Sequence, residues 1–163
     1  MVVTISDLFE DIECHDYAAL YFDEAFNTAI GRALHMGRKL VRLDRSNDRI
    51  VRHVCYEPNQ DPESPTHQAW GTTPAGFVEE LDYDVPARRG TWRTIPNRFA
   101  DRVKNAGTIE LAPEGRGTRR TIRGEVVVKA FGFGRVVEKM IVGEIVKNYA
   151  ATTAFTREWI AKR

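Results

Sequence analysis

Phe131-Gly-Phe-Gly-Arg-Val-Val-Glu-Lys-Met-Ile-Val-Gly-Glu-Ile-Val-Lys-Asn-Tyr149, running on through Phe155 to Trp159-Ile160, is the stretch on which the fold turns. At about 100° per residue, Phe133, Val137, Ile141, Ile145, Thr152, Phe155 and Trp159 cluster on one broad side. Arg135, Lys139, Lys147, Arg157 and Glu158 spread over the other. The stretch has no proline, and its interior glycine, Gly143, costs only about 1 kcal/mol against alanine. The spacing predicts an amphipathic helix of about seven or eight turns, over roughly 134–162, directly after a valine-rich strand. Its apolar side needs a cover.

The preceding chain supplies strands. From Thr118 to Phe131 the residues alternate, with Ile122, Gly124, Val126, Val128 and Ala130 on one face and Thr121, Arg123, Glu125 and Lys129 on a solvated one. The turn Ala112-Pro-Glu-Gly-Arg-Gly117 joins this strand to another from Phe99 to Leu111. Tyr83 to Ile95, broken by Pro86, reads as an irregular strand or a hairpin carrying Trp92. Arg38–Asp44 and Arg49–Tyr56 form a hairpin around a polar turn, and residues 2–13 a first strand. Two short helices follow that first strand, Tyr17–Asp23 capped by Asp16 and Glu24–His35, with Gly37 ending the pair. Thr73-Pro74 with acids after it predicts a further short helix to Leu81. Glu57 to Thr73, with Pro58, Pro62 and Pro65, reads as a long exposed loop of the kind that serves as a lid or binding loop.

This order predicts an α+β fold. A curved antiparallel sheet of about six or seven strands wraps around the long C-terminal helix, in one domain spanning 1–163, with a cavity between sheet and helix. A chain of 163 residues buries roughly 70% of its unfolded surface. Lys and Arg number 24 against 23 Asp and Glu, so the net charge of +1 gives no global field toward nucleic acid or an anionic membrane. No apolar run reaches the roughly 20 residues of a transmembrane helix, although transient membrane contact stays open. The acidic N-terminal stretch argues against a secretory signal, so a cytoplasmic location is expected. Cys14 and Cys55, each in a segment read as strand, have no CxxC spacing and are expected to be reduced thiols.

Gly107-Thr-Ile-Glu-Leu-Ala-Pro-Glu-Gly-Arg-Gly-Thr118 and Gly124-Glu-Val-Val-Val-Lys-Ala-Phe-Gly-Phe-Gly-Arg-Val-Val-Glu138 carry a family resemblance. With the element order they resemble the helix-grip fold of the START-like (SRPBCC) superfamily, which includes lipid-transfer domains, plant hormone-binding proteins and aromatic polyketide cyclases. The likeness is greatest to a bacterial branch that is a domain of unknown function. It covers most of the chain and implies a fold and a hydrophobic ligand cavity. No motif in it is catalytic, and no cofactor is implied.

Within the expected cavity, Glu144 and Asn148 fall one turn apart near the apolar side of the terminal helix, a carboxylate and an amide among Met140, Ile141, Thr152 and Phe155. Phe133 and Trp92 complete the expected ligand-binding set. The competing reading rotates the helix slightly, so that Glu144 reaches solvent and Asn148 bonds to a neighbouring strand. His53 is a weak catalytic candidate beside Glu144, and the four histidines show no metal-ligand spacing. Phe131-Gly-Phe-Gly fails as a phosphate loop because Val137 stands where a third glycine belongs. Arg116, Arg119, Arg120 and Arg123 lack interleaved aromatics and read as a solvated hairpin, not a nucleic-acid surface.

The leading expectation is binding of a small hydrophobic or amphipathic ligand, such as a lipid or polyketide, by a monomer or homodimer. The alternatives are a cyclase- or hydratase-type enzyme using a cavity carboxylate, and a protein-interaction or chaperone-like module using Val142, Val146 and Ile160.

Overall fold

The structure is a computed structural model, and it describes residues 1–57 and 76–163. Strand β1 (Val2–Phe9) is followed by helices α1 (Cys14–Tyr21) and α2 (Glu24–Ala33). Six strands come next: β2 (Gly37–Arg45), β3 (Arg49–Glu57), β4 (Phe77–Asp84), β5 (Arg89–Pro96), β6 (Val103–Glu114) and β7 (Gly117–Val128). Helix α3 (Gly134–Ala161) closes the chain. The seven strands form one antiparallel sheet in the order β1-β7-β6-β5-β4-β3-β2, so the first strand pairs with the last. The α+β helix-grip architecture expected from the sequence is what the chain adopts.

Alternation decides which side of each strand faces in. Along β7, Thr118, Arg120, Ile122, Gly124 and Val126 are buried, while Arg123 and Glu125 are exposed. Their partners Phe9, Asp7, Ile5 and Val3 on β1, and Leu111, Ile109 and Gly107 on β6, share that concave face. Phe9, Tyr17, Leu20, Phe22, Leu81, Tyr83, Ile109 and Ile122 make the core under α1 and α2. The side chain of Asp23 caps α2 by accepting from the Phe26 N–H at 2.7 Å.

Two expectations need correction. Residues 77–81 are not helical but open β4, because Phe77, Glu79, Leu81 and Tyr83 alternate inward and the strand is paired on both sides. Cys14 lies in no strand. It begins α1, with Glu13 at the cap and Asp16 inside the first turn. The Glu57–Thr73 loop falls outside the described residues beyond Glu57.

The amphipathic reading of the terminal helix holds: Val137, Ile141, Ile145, Thr152, Phe155 and Trp159 of its apolar stripe are partly buried, Phe155 and Trp159 against the core, while Arg135, Lys139, Lys147, Arg157 and Glu158 are exposed, as is Phe133 at the stripe's start. Helix α3 is also tied to the sheet by polar contacts at one edge of that stripe, from Glu138 to Val128 and from Thr153 and the Tyr149 ring to Arg120. Its start is fixed by backbone: Gly132 has φ +80°, and a Cβ on Gly134 would stand 2.6 Å from the Val128 carbonyl oxygen. One turn on, Glu138 accepts from the Val128 N–H at 3.0 Å and lies 3.6 Å from the N-terminal ammonium. That N–H bond, with the nearby ammonium, holds the Glu138 carboxyl below its ordinary range.

Candidate functional site

Cross-strand register assembles the site. Leu40, Val54, Glu79, Thr94, Asn105 and Val126 form one rung across the concave face, from β2 to β7. Facing neighbours on a rung have Cβ atoms about 5 Å apart, so Glu79, Thr94 and Asn105 make a polar stripe across three strands. The adjacent rung carries Arg52, Leu81, Trp92, Gly107 and Gly124. A Cβ on Gly107 would lie 1.9 Å from the Arg123 carbonyl oxygen, and one on Gly124 would lie 2.8 Å from the Trp92 ring. The two facing glycines thus let the strands crowd together, and the Trp92 indole fills the space over Gly124. Its Nε1–H donates to the Thr108 carbonyl at 3.2 Å.

Burial is uneven along this face. Leu81, Tyr83, Ile109 and Ile122 are sealed beneath the helices. Phe77, Glu79, Trp92, Thr94 and Asn105 point the same way yet are only partly buried, although Val54 and Val126 at the ends of the polar rung are sealed. The concave face is closed at one end and incompletely covered at the other.

Two arginines lie inside. Arg52, 2% exposed, donates from Nη2 to Glu79 at 3.2 Å and from Nη1 to the Tyr21 carbonyl at 3.1 Å. Its guanidinium sits over the Tyr21 and Phe22 rings, 5.1 and 5.2 Å from their centres. Burial and the neighbouring Glu79 charge push the Tyr56 hydroxyl up to about 12, so it stays a neutral donor at physiological pH. Among the described residues, neither Arg52 Nε nor the buried Asn105 Oδ1 has a hydrogen-bond partner.

Arg120, 1% exposed, donates to Asp7 at 2.8 Å, to the Thr153 hydroxyl at 2.9 Å and to the Tyr17 hydroxyl at 3.1 Å. The Thr153 hydroxyl in turn donates to Asp7 at 3.1 Å, and the Tyr149 ring lies 5.3 Å from the guanidinium carbon. Burial drives the Tyr17 hydroxyl up to about 12 and the Tyr149 hydroxyl well above its ordinary value. This network fastens α3 to the first and last strands.

The residues singled out from sequence are dispersed. Trp92 faces inward beside the polar rung. Met140, Ile141 and Glu144 are partly buried along α3, as is Thr152, whose hydroxyl donates to the Asn148 carbonyl at 2.8 Å. Phe155 packs on Phe26 and Trp159, at ring separations of 6.1 and 5.9 Å. Asn148 is exposed on the outer side of α3, and Phe133 is 61% exposed. His53 alternates with the inward-facing Arg52 and Val54 and so stands on the convex face, opposite Glu80; the structure does not bring it together with Glu144.

Sequence reasoning misses Arg120, which the run of arginines assigns to a solvated hairpin. The signal was present, since Arg120 shares the parity of Ile122, Gly124 and Val126. Arg52, Glu79 and Asn105 had the same kind of signal on their own strands. Among the described residues, no cluster of three or more His, Cys, Asp or Glu is placed to hold a metal, and no helix is long and apolar enough to cross a membrane.

Known proteins agree with this architecture. The aromatase/cyclase Zhui from Streptomyces sp. R1128 superposes with a TM-score of 0.72 at 11% identity, over 100% of this chain and 94% of that one. A START superfamily protein from Mycobacterium smegmatis gives 0.61 at 16% identity, over 98% of each chain. The protein TTHA0849 from Thermus thermophilus gives 0.64 at 16% identity, over 95% of this chain and 96% of that one. At such identities the likeness is one of fold. No curated protein matches the chain. A family model described as protein of unknown function (DUF2505) matches residues 68–160, more than half of the sequence. The chain therefore belongs to the DUF2505 family and has the helix-grip fold of the START-like superfamily.

Proposed function

We propose that the protein binds a small hydrophobic or amphipathic molecule, of lipid or polyketide type, between the concave face of the sheet and α3. One observation carries this reading: among the described residues, Asn105 Oδ1 is buried without a partner on the polar rung that holds Glu79 and Thr94, beside the Trp92 indole. A buried polar atom left unpaired costs about 1–3 kcal/mol, which a ligand hydroxyl or amide donor would offset. Arg52 Nε, also without a partner among the described residues, suits a carbonyl or hydroxyl oxygen. Trp92 and Phe77 supply apolar wall, and Met140, Ile141, Glu144, Thr152 and Phe155 supply the roof, with Asn148 and Phe133 on its outer side. The fold shared with an aromatase/cyclase supports the ligand class by analogy alone.

Native mass spectrometry of the purified protein, with organic extraction, tests the reading. A co-purifying molecule with an apolar body and at least one oxygen function is expected. Asn105→Leu is expected to keep the thermal transition and to weaken that molecule's binding by about tenfold, the worth of one satisfied polar atom. No co-purifying molecule, together with no response to fatty acids or aromatic polyketides in fluorescence titration, would overturn it.

A further inference from the structure

The sheet end at which β6 begins and β7 finishes exposes aromatic surface, with the Arg102 guanidinium 5.9 Å from the Phe99 ring centre. Phe131 is 100% exposed, Phe133 61%, Val136 62% and Phe99 48%. The two segments that carry them abut, because the Lys129 N–H donates to the Arg102 carbonyl at 2.8 Å and Val103 pairs with Val128. Phe99 sits at φ +57°, a left-handed conformation that bulky residues rarely adopt, so the loop tip presents its ring at a conformational cost.

Charge gathers at the same place. Residues 97–104 and 129–139 hold six Lys and Arg side chains against the carboxylates of Asp101 and Glu138, an excess of four positive charges. The whole chain carries only +1, so everything else is net negative by three. Of the two carboxylates, Glu138 is already engaged by the Val128 N–H and the N-terminal ammonium. Exposed aromatic rings ringed by lysine and arginine, on a molecule otherwise negative, match an interface whose outer layer is anionic and whose interior is apolar. A second protein copy fits less well, since this surface would face its own positive charge.

We propose that the surface formed by the loop 97–102 and the step 129–136 docks the protein on an anionic lipid bilayer, with Phe131 and Phe133 entering the headgroup region and Lys129 and Arg135 held by lipid phosphates. Because the side chains of Lys129, Phe131, Phe133 and Arg135 are exposed, their replacement is expected to leave the fold intact.

Vesicle co-sedimentation measures this with the full chain. Phosphatidylcholine vesicles containing a quarter phosphatidylglycerol are expected to bind the protein at least about tenfold more tightly than pure phosphatidylcholine, and added salt is expected to release it. The double variant Lys129→Glu, Arg135→Glu and the double variant Phe131→Ala, Phe133→Ala should each lose about tenfold or more. Val41→Ala, at another exposed apolar position, should bind as the parent does. Unchanged melting temperatures for all variants separate lost docking from lost fold. Absence of binding to the anionic vesicles overturns the proposal, as does equal binding to both vesicle types. So does a concentration-dependent dimer in sedimentation velocity that Phe131→Ala abolishes, which would assign the surface to a second copy.

Discussion

Asp7 and Arg120 face each other across β1 and β7 and meet at 2.8 Å beneath the terminal helix, where the Thr153 hydroxyl closes the triangle. The contact links the two strands that close the sheet order with the helix that lies over them. A guanidinium 1% exposed is tolerable only while its charge is answered. Asp7→Ala is therefore expected to cost about 3 kcal/mol, near the lower end for breaking a buried pair because Asp7 keeps some solvent contact. The double variant Asp7→Leu, Arg120→Met should recover much of that loss, since both charges then leave together. Urea unfolding monitored by tryptophan fluorescence checks the order of the three midpoints.

Tyr83 and Tyr17 are both buried phenols, yet they differ in what their hydroxyls do. The Tyr83 hydroxyl has no partner among the described residues, and burial pushes it up to about 12. The Tyr17 hydroxyl accepts from Arg120. Removing an unpaired polar atom restores nothing to water and leaves nothing behind, so Tyr83→Phe is expected to be neutral or to stabilise by up to about 1 kcal/mol. Tyr17→Phe should destabilise by about 1–2 kcal/mol, because it withdraws one acceptor from a buried charge. Equal losses for the two variants would show that the Tyr83 hydroxyl is bonded in solution.

The contrast explains what the sequence made legible. Strand faces and the length of the terminal helix follow from periodicity; the inward face of β7 is legible because Ile122, Gly124 and Val126 are apolar or lack a side chain, although the alternation expected as far as Phe131 ends at Val128. Arg120 sits on that same parity, but four arginines within eight residues suggest solvent by composition. The polar anchors of the terminal helix escape notice for a related reason. Hydrophobicity picks out Ile141 and Phe155, which are partly buried, but gives no weight to Thr153, whose hydroxyl is held between Arg120 and Asp7. Capping chemistry at Thr73-Pro74 is a local preference, and two-sided strand pairing outweighs it over 77–81. Glu79, Thr94 and Asn105 are ordinary polar residues on separate strands; only register, which the turns set, makes them neighbours.

Glu24 and Arg38 predict an acid-labile contribution to stability. The Glu24 carboxylate receives two guanidinium N–H groups at 2.6 and 2.9 Å, and this bonding holds its pKa below the ordinary 4.5. A folded value below the unfolded one means that the contribution is fully present above about pH 4.5 and is lost as pH falls through the folded value. Glu24→Gln should consequently lower stability at pH 7, and the gap to the parent should narrow below pH 4.5 until it vanishes. Denaturant midpoints across the range from neutral to strongly acidic pH give the comparison directly. A gap that stays constant across the range would remove the ion pair as its cause.

The three glycines Gly107, Gly124 and Gly143 should respond to alanine in three different ways. At Gly107 the added Cβ meets backbone, the Arg123 carbonyl oxygen at 1.9 Å and the Gly124 Cα at 2.7 Å, so the strands must separate. Gly107→Ala is expected to destabilise by more than about 3 kcal/mol, beyond ordinary overpacking. At Gly124 the obstacle is the Trp92 ring, which can swing, so Gly124→Ala should cost about 1–3 kcal/mol and shift the Trp92 emission. At Gly143, exposed on α3, nothing lies within 4 Å of the new Cβ, and the helix simply gains a better former. Gly143→Ala is expected to stabilise by about 1 kcal/mol. Thermal unfolding of the three variants should rank them in that order. A Gly107→Ala protein as stable as Gly143→Ala would mean that β6 and β7 do not approach as closely as the Gly107–Gly124 pair requires.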